Sequence, residues 1–125
     1  LGAGGFGVAL HCQDNITDQD VVIKALYADD LGRPIKQVFA EVAALRELRH
    51  PALIAIHGYE FIDWHRQRGP YIVMEWFDGD SLDAWLDRHG ALSLEQALAL
   101  FPPVVAAMRE VHAAGLIHRD LTPDN

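Results

Sequence analysis

The sequence of 125 residues contains a single cysteine and no long apolar run, and acidic residues outnumber basic ones. Cys12 cannot form an internal disulfide, which favours a reducing compartment. No apolar run approaches about 20 residues, so we expect no membrane span in this segment. No charged-then-apolar leader opens the sequence, so we expect no signal peptide. We therefore predict a cytoplasmic location, or the cytoplasmic side of a membrane protein whose span lies elsewhere.

Lysine is also scarce, because only Lys24 and Lys36 occur among the 10 basic residues. The net charge of −8 argues against a nucleic-acid partner, because nucleic-acid-binding proteins usually carry the opposite balance. Half of the residues are hydrophobic and the mean hydropathy is +0.04, which excludes a disordered acidic chain. The length suffices for one small domain with a hydrophobic core.

The spacing of apolar residues predicts the order of strands and helices. We predict strands at 8–12 and 21–27, a helix at 35–48, strands within 52–64 and 71–77, and helices at 81–88 and 93–114. Ser81 is a plausible N-cap, and Ser93 with Gln96 has the spacing of a capping box. This order indicates a small sheet lobe joined through residues 76–80 to a helical lobe, with a cleft between them.

Three other segments carry local predictions. Residues 2–7 are rich in glycine and are expected to form a flexible loop. Pro102 and Pro103 should kink or break the last helix near residues 98–101, because each proline removes a backbone donor. Residues 116–125 are expected to begin with a short strand and to continue as a loop.

Gly2, Gly4 and Gly7 match the pattern G-x-G-x-x-G. Such a turn lets backbone N–H groups approach phosphate oxygens without an intervening side chain. The dinucleotide-binding fingerprint is a poor alternative, because it needs a helix directly after the loop and a predicted strand follows here. A tight turn with no ligand remains an open interpretation of this pattern alone.

A lysine and a glutamate occupy apolar contexts. Strand alternation places Lys24 on one face with Val22 and Leu26, where an unpaired ammonium would be costly to bury. Glu41 falls on the apolar stripe of its helix with Val38, Leu45 and Leu48. An ion pair between Lys24 and Glu41 would satisfy both charges. The alternatives are a solvated edge lysine and a slightly rotated helix that exposes the glutamate.

The segment 118–125, His-Arg-Asp-Leu-Thr-Pro-Asp-Asn, places many polar residues after the apolar pair at 116–117. A carboxylate such as that of Asp120 can accept the proton of a substrate hydroxyl, and an oxygen ligand such as Asn125 can bind Mg²⁺. A plain polar turn is the alternative interpretation.

Taken together, these segments resemble the protein kinase family across essentially the whole chain. The matching stretches are the glycine-rich loop at 1–8, the strand motif Val-Val-Ile-Lys at 21–24, Glu41 in the following helix, the strand at 71–76, and the H-R-D-L-x-x-x-N loop at 118–125. The resemblance implies an α+β fold with an antiparallel sheet lobe and one helix over 1–75, a hinge over 76–80, and the first helices of a helical lobe over 81–125.

The resemblance also implies that the protein binds ATP and Mg²⁺ and phosphorylates a protein hydroxyl. Lys24, held by Glu41, would contact the α- and β-phosphates. Asp120 would accept the hydroxyl proton, and Asn125 would bind Mg²⁺. The expected nucleotide-binding residues are Gly2, Gly4, Gly5, Gly7, Val8, Val22, Lys24, Met74, Glu75 and Phe77, with Val8 and Val22 above the adenine, Met74 as gatekeeper, and Glu75 and Phe77 as hinge contacts.

The sequence departs from the family pattern at several points. Thr122 stands where serine/threonine kinases usually have lysine, which affects the expected substrate class, whereas Pro123 favours the serine/threonine side. The sequence starts at the glycine loop and stops before the D-F-G segment, so we expect the isolated 125-residue chain to be inactive and to expose an apolar patch on its last helix. The alternatives are a pseudokinase or nucleotide-binding regulatory module, a small-molecule kinase of related fold, and an inactive truncated product.

Overall fold

The computed structural model describes residues 2–4, through their backbone, and residues 7–124. The elements in chain order are β1 (Gly2–Gly4), β2 (Gly7–Gln13), β3 (Asp20–Leu26), α1 (Ile35–Glu47), β4 (Ile56–Asp63), β5 (Arg68–Glu75), α2 (Leu82–His89) and α3 (Leu94–Ala113), with one turn of 3₁₀ helix at Ala28–Asp30. The chain divides into two compact units, one formed by Leu1–Arg49 with Ile54–Trp76 and the other by His50–Leu53 with Phe77–Asn125.

The first unit contains a five-stranded sheet in the order β1-β2-β3-β5-β4, in which all neighbouring strands are antiparallel. This confirms the predicted fold class of an antiparallel sheet with one helix, followed by further helices. The prediction of a flexible loop from residue 2 is wrong for Gly2–Gly4, because these residues pair with β2 as an edge strand. Gly5 and Phe6 lie outside the described residues, and Gly7 begins β2.

The core of the first unit lies between the sheet and α1. Val38 and Val42 are spaced by one helical turn, and they pack against Leu26 of β3 and Ile72 of β5 in one buried cluster. Full burial of such a side chain contributes about 1.5–3 kcal/mol, so this short stripe fixes which side of α1 faces the sheet. The ring of Phe39 adds contacts to β4, with Tyr59 and Phe61 at centroid distances of 4.8 and 5.1 Å.

The turn between β2 and β3 is organised by one carboxylate. An oxygen of Asp14 accepts hydrogen bonds from the backbone N–H groups of Ile16 and Thr17, at 2.8 and 3.2 Å. These bonds lower the pKa of the Asp14 carboxyl, because they stabilise its ionised form. Asp18 follows with φ 56°, a left-handed conformation that aspartate tolerates better than most residues. The turn thereby sets the register of the two strands.

The helices of the second unit begin at the predicted caps. The Ser81 side chain accepts from the N–H of Ala84 at the start of α2. Ser93 and Gln96 form a complete capping box at the start of α3. Two donors at the N-terminus of α3 are satisfied in this way, which stabilises a helix end by about 1 kcal/mol.

Of the kink or break predicted near residues 98–101, the break does not occur, because α3 runs unbroken from Leu94 to Ala113 with both prolines inside it. A proline at position n removes the hydrogen bond to the carbonyl of residue n−4, here those of Leu98 and Ala99. Both of these residues are exposed, so water can hydrogen-bond their carbonyl groups. Ala107 and Val111, which are buried, hold the following turns.

The prediction of a short strand at the start of residues 116–125 is also wrong, because no strand is assigned within 114–124. A β-strand needs a neighbour to accept its backbone hydrogen bonds, and none of the described strands pairs with this segment.

None of the helices in the described part of the chain is both long and apolar enough to cross a bilayer.

An apolar stripe is exposed along α3, as predicted. Its members Leu94, Leu98, Phe101 and Val105 follow helical spacing and are 77%, 63%, 49% and 59% exposed. A continuous apolar surface of this kind favours association with other surfaces or aggregation.

Candidate functional site

Lys24 lies in the middle of β3, on the face of the sheet that carries the core. It is paired with Ala9 on β2 and with Ile72 on β5. Directly opposite residues of antiparallel strands share a face, and Ile72 belongs to the cluster that α1 covers. Lys24 is half-buried. The lysine therefore lies on the α1 side of the sheet, together with its neighbour in alternation, Leu26.

Val22 and Met74 extend this face. They lie directly opposite each other on β3 and β5, two residues from Lys24 and Ile72 respectively. Val22 is buried and Met74 is half-buried. The structure thus brings three of the predicted nucleotide-binding residues, Lys24, Val22 and Met74, onto one surface.

Val8 does not belong to this surface. It is paired with Ala25, whereas Ala9 is paired with Lys24. Because side chains alternate along a strand, Val8 lies on the opposite face from Lys24 and Val22. The prediction that Val8 lies with Val22 above the same nucleotide is therefore contradicted, and Ala9 is the residue of β2 in that place. Counting two residues on from Gly7, rather than one, would have found it.

Glu41 forms an ion pair with a cation other than the predicted Lys24. An Nη1 atom of Arg33 lies 2.5 Å from Oε1 of Glu41, and the two side chains are 30% and 37% exposed. Arg33 precedes α1 by two residues, and Glu41 lies on its second turn. Gly32, with φ 63°, and Pro34 bend the chain on both sides of Arg33, which directs the segment back along the helix.

The predicted ion pair between Lys24 and Glu41 is therefore not formed in this structure. Among the described residues, no carboxylate oxygen lies within 4.0 Å of the Lys24 amine. Lys24 and Glu41 both belong to the first unit, and both lie beside its core cluster. Their proposed roles in nucleotide binding remain predictions.

The glycine-rich segment is partly a strand. Gly2 is paired with Ala9, and Gly4 with Gly7. A Cβ atom on Gly7 would lie 2.1 Å from the carbonyl oxygen of Ala25, because β3 passes directly against this point. Gly7 is thus required by the packing of the sheet itself. Gly5, which was also predicted to contact phosphate, lies outside the described residues.

The end of β5 is tied to the residues before β4. The N–H of Glu75 donates to the carbonyl of Ala55 at 2.8 Å, and the N–H of Ala55 donates to Oε2 of Glu75 at 3.1 Å. Any contact of the Glu75 main chain with adenine would therefore use its carbonyl oxygen. Phe77, the other predicted hinge contact, belongs to the second unit and is 63% exposed.

Trp76, between these two residues, stacks on a histidine of β2. The rings of Trp76 and His11 are 4.0 Å apart between centroids and inclined by 12°. Nε2 of His11 lies 2.8 Å from Oδ1 of Asp20 at the start of β3. His11 is directly opposite Val22, so the stack lies on the same face of the sheet as Lys24.

The loop 118–124 belongs to the second unit and is exposed. Arg119 adopts φ 67°, a left-handed conformation that is unfavourable for a residue with a long side chain. Such conformations cost about 1–3 kcal/mol and concentrate at functional sites, which supports a function for this loop. Asp120 follows directly, and Asn125, the predicted Mg²⁺ ligand, lies outside the described residues.

The first turn of α2 contacts the same loop. The N–H of Asp83 donates to the carbonyl of Pro123 at 3.0 Å. The negative charge of Asp124 raises the pKa of the Asp83 carboxyl above its usual value, and desolvation and Asp87 add to this effect. The negative charges of Asp83 and Asp124 therefore lie close enough to repel each other at the contact between α2 and the loop.

No group of three or more histidine, cysteine, aspartate or glutamate side chains that could hold a metal ion occurs within residues 7–124. That Asn125 would bind Mg²⁺ stays a prediction.

Comparison with known proteins gives a consistent result. The family model of the protein kinase domain matches residues 1–125. The chain is 34% identical over 128 residues to the serine/threonine-protein kinase PknA of Mycobacterium tuberculosis, covering 100% of this chain and 30% of that protein. It is 34% identical over 134 residues to the serine/threonine-protein kinase PksC of Streptomyces coelicolor, covering 100% of this chain and 24% of that protein.

A solved structure shows the same similarity in three dimensions. The crystal structure of Rad53 1-466 in complex with AMP-PNP superposes with a TM-score of 0.86 at 26% sequence identity, covering 100% of this chain and 32% of that one. The chain thus spans less than a third of the length of these relatives.

Proposed function

This chain belongs to the protein kinase domain family, and we propose that the protein which contains it transfers the γ-phosphoryl group of ATP to a serine or threonine hydroxyl of a protein substrate. The observation that carries the proposal is the half-buried Lys24 on the same face of the sheet as Val22 and Met74. A lysine on an apolar sheet surface suits a ligand that is apolar at one end and anionic at the other.

The first unit supplies nucleotide binding in this proposal. The apolar surface of Ala9, Val22 and Met74 accepts the adenine, and Lys24 neutralises charge on the phosphates. The main-chain carbonyl of Glu75 contacts the adenine edge. Backbone N–H groups of the glycine-rich segment bind phosphate oxygens, as unhindered backbone donors do.

Glu41 must change its partner for the lysine to be held in the way that the family predicts. In this structure its carboxylate is paired with Arg33. Lys24 is therefore not held by Glu41 in this structure. A single carboxylate with two competing cations gives a simple equilibrium between two arrangements of α1 and the segment before it.

The second unit supplies the residues of the transfer step. The Asp120 carboxylate orients the substrate hydroxyl and accepts its proton. The hydroxyl oxygen forms a bond to the γ-phosphorus while the bond from that phosphorus to the β,γ-bridging oxygen breaks, which yields a phosphoester and ADP. Mg²⁺, when bound by Asn125 and the phosphates, would neutralise the negative charge of the phosphate groups.

The test uses the full-length protein with ATP labelled at the γ-phosphate and a general protein acceptor. We expect Lys24→Met to abolish transfer, because the phosphates lose their cation, and Asp120→Asn to slow it by about 10²–10⁴-fold through loss of the base. Lys36→Met is the matched control, because Lys36 is an exposed lysine on α1. A Lys24→Met variant that transfers phosphate at the wild-type rate would contradict the proposal.

A second candidate is a nucleotide-binding regulatory module without transferase activity. The pairing of Glu41 with Arg33 favours it, since that arrangement leaves Lys24 without its expected carboxylate. The same experiment separates the two functions when calorimetric binding of ATP is measured beside transfer. Saturable binding without any transfer to protein acceptors would identify the regulatory module.

A further inference from the structure

We infer that His11 is a positioning residue for nucleotide binding, acting through Trp76 on the main chain that contacts the adenine. The inference rests on the proposed function and adds a residue to it. His11 lies outside the glycine-rich, lysine and His-Arg-Asp segments that carry the family resemblance. The observation that carries it is the close parallel stack between His11 and Trp76, at 4.0 Å and 12°.

The position of Trp76 in the chain gives the stack its importance. β5 ends at Glu75, so Trp76 is the first residue of this segment beyond the strand. One of its neighbours is Glu75, whose main-chain carbonyl is proposed to contact adenine, and the other is Phe77, for which the sequence predicts a hinge contact. Glu75 is fixed by two hydrogen bonds with Ala55. The next residue, Trp76, is held through its ring by the stack on His11. A shift of this ring would move the peptide groups on both sides of Trp76.

His11 is itself held in place. Its Nε2 atom lies 2.8 Å from Oδ1 of Asp20, which begins the neighbouring strand. The register pairs Gln13 with Asp20 and His11 with Val22, so the bond runs diagonally across β2 and β3. This hydrogen bond restricts rotation of the imidazole about the side-chain bonds of His11. The contacts of His11 with Asp20 and with Trp76 therefore fix the Trp76 ring relative to β3.

The stack lies at the edge of the proposed adenine surface. His11 is directly opposite Val22, and Val22 is directly opposite Met74. Trp76 follows Met74 by two residues, the period of a strand face. A displaced Trp76 would therefore affect binding of the base and would leave the phosphates and Asp120 unaffected. This locates the expected defect in ATP affinity and not in the transfer step.

The experiment measures ATP-analogue binding by calorimetry and steady-state transfer for the full-length protein and two variants. His11→Ala removes the stack, and the energy of an aromatic pair limits the resulting change in ATP affinity to about two- to tenfold. We expect the Kd and the KM for ATP to rise by that factor, with kcat unchanged within twofold. His11→Phe retains an aromatic ring against Trp76, and we expect it to restore the KM to within twofold of the wild-type value.

His65→Ala is the matched control, because His65 is an exposed histidine in the turn between β4 and β5 of the same unit. Should His11→Ala fail to fold, His11→Gln, which keeps a polar side chain near Asp20 and loses the ring, takes its place.

Equal Kd values for wild type and the ring-less variant would overturn the inference, as would a KM that His11→Phe fails to restore, or a loss confined to kcat. A wild-type protein that binds ATP and transfers no phosphate would refute the proposed transferase function alone. A wild-type protein that binds no nucleotide would refute both.

Discussion

Replacement of Arg33 by alanine tests the partner exchange of Glu41 most directly. The substitution removes the guanidinium that lies 2.5 Å from the Glu41 carboxylate and leaves Lys24 unchanged. If Glu41 is shared between the two cations, the loss of one must raise the population paired with the other. We therefore expect Arg33→Ala to increase the rate of phosphoryl transfer at subsaturating ATP.

The size of this increase follows from the exposure of the pair. The Arg33 and Glu41 side chains are 30% and 37% exposed, so the pair is screened by water and is worth about 0.2–1 kcal/mol. That range corresponds to a factor of about 1.4 to 5 in population. When the arrangement with Lys24 is the minor one, kcat/KM rises by the same factor. When it is already the major one, the rise is smaller.

The assay compares initial rates of the full-length wild type, Arg33→Ala and Lys36→Ala at several ATP concentrations below the KM. Lys36→Ala removes the same charge from α1 without touching the Glu41 pair. Urea denaturation gives a second measurement, in which Arg33→Ala should lower the free energy of unfolding by at most about 1 kcal/mol. A fall in kcat/KM with Arg33→Ala, or an equal rise with Lys36→Ala, would refute the exchange.

Three further predictions concern single positions. Gly7→Ala should lower the free energy of unfolding in urea by about 1–3 kcal/mol, because its Cβ would overlap a carbonyl oxygen of β3. Ala9→Leu should weaken ATP binding in calorimetry, whereas a leucine at Val8 should not, because only position 9 shares the face of the lysine; equal effects would contradict this assignment. Asp83→Asn should raise the Tm at pH 7, where repulsion from Asp124 is fully present. Since the pKa of Asp83 is raised in the folded state, the wild type gains stability as the pH falls, and the difference in Tm should disappear below pH 3.8.

The sequence predicted the elements whose signals are local. Helix α1 starts at the predicted residue and ends within one residue of the prediction, because its apolar spacing and the residues around Pro51 define it. The N-caps Ser81 and Ser93 could be predicted from local sequence, because each serine side chain accepts a hydrogen bond from a backbone N–H only three residues later. The faces of β3 followed from alternation around Lys24.

The errors arose where a contact depends on the path of the chain. The partner of Glu41 is Arg33, which lies eight residues away in a turn that no periodicity describes. The register between β2 and β3, which separates Val8 from Lys24, is set by the turn at Asp14 and not by either strand alone. The unbroken α3 shows the same limit, because the exposure of Leu98 could not be known from its own sequence.

The packing at Gly7 has a consequence for how variation in this loop should be interpreted. In a library of variants sorted only for correctly folded protein, with no nucleotide present, position 7 would still be restricted to glycine, because the backbone of β3 occupies the space that any Cβ would need. Intolerance at this position is therefore no measure of phosphate binding. A screen for the nucleotide contacts of this segment must therefore compare variants selected for nucleotide binding with variants selected only for folding.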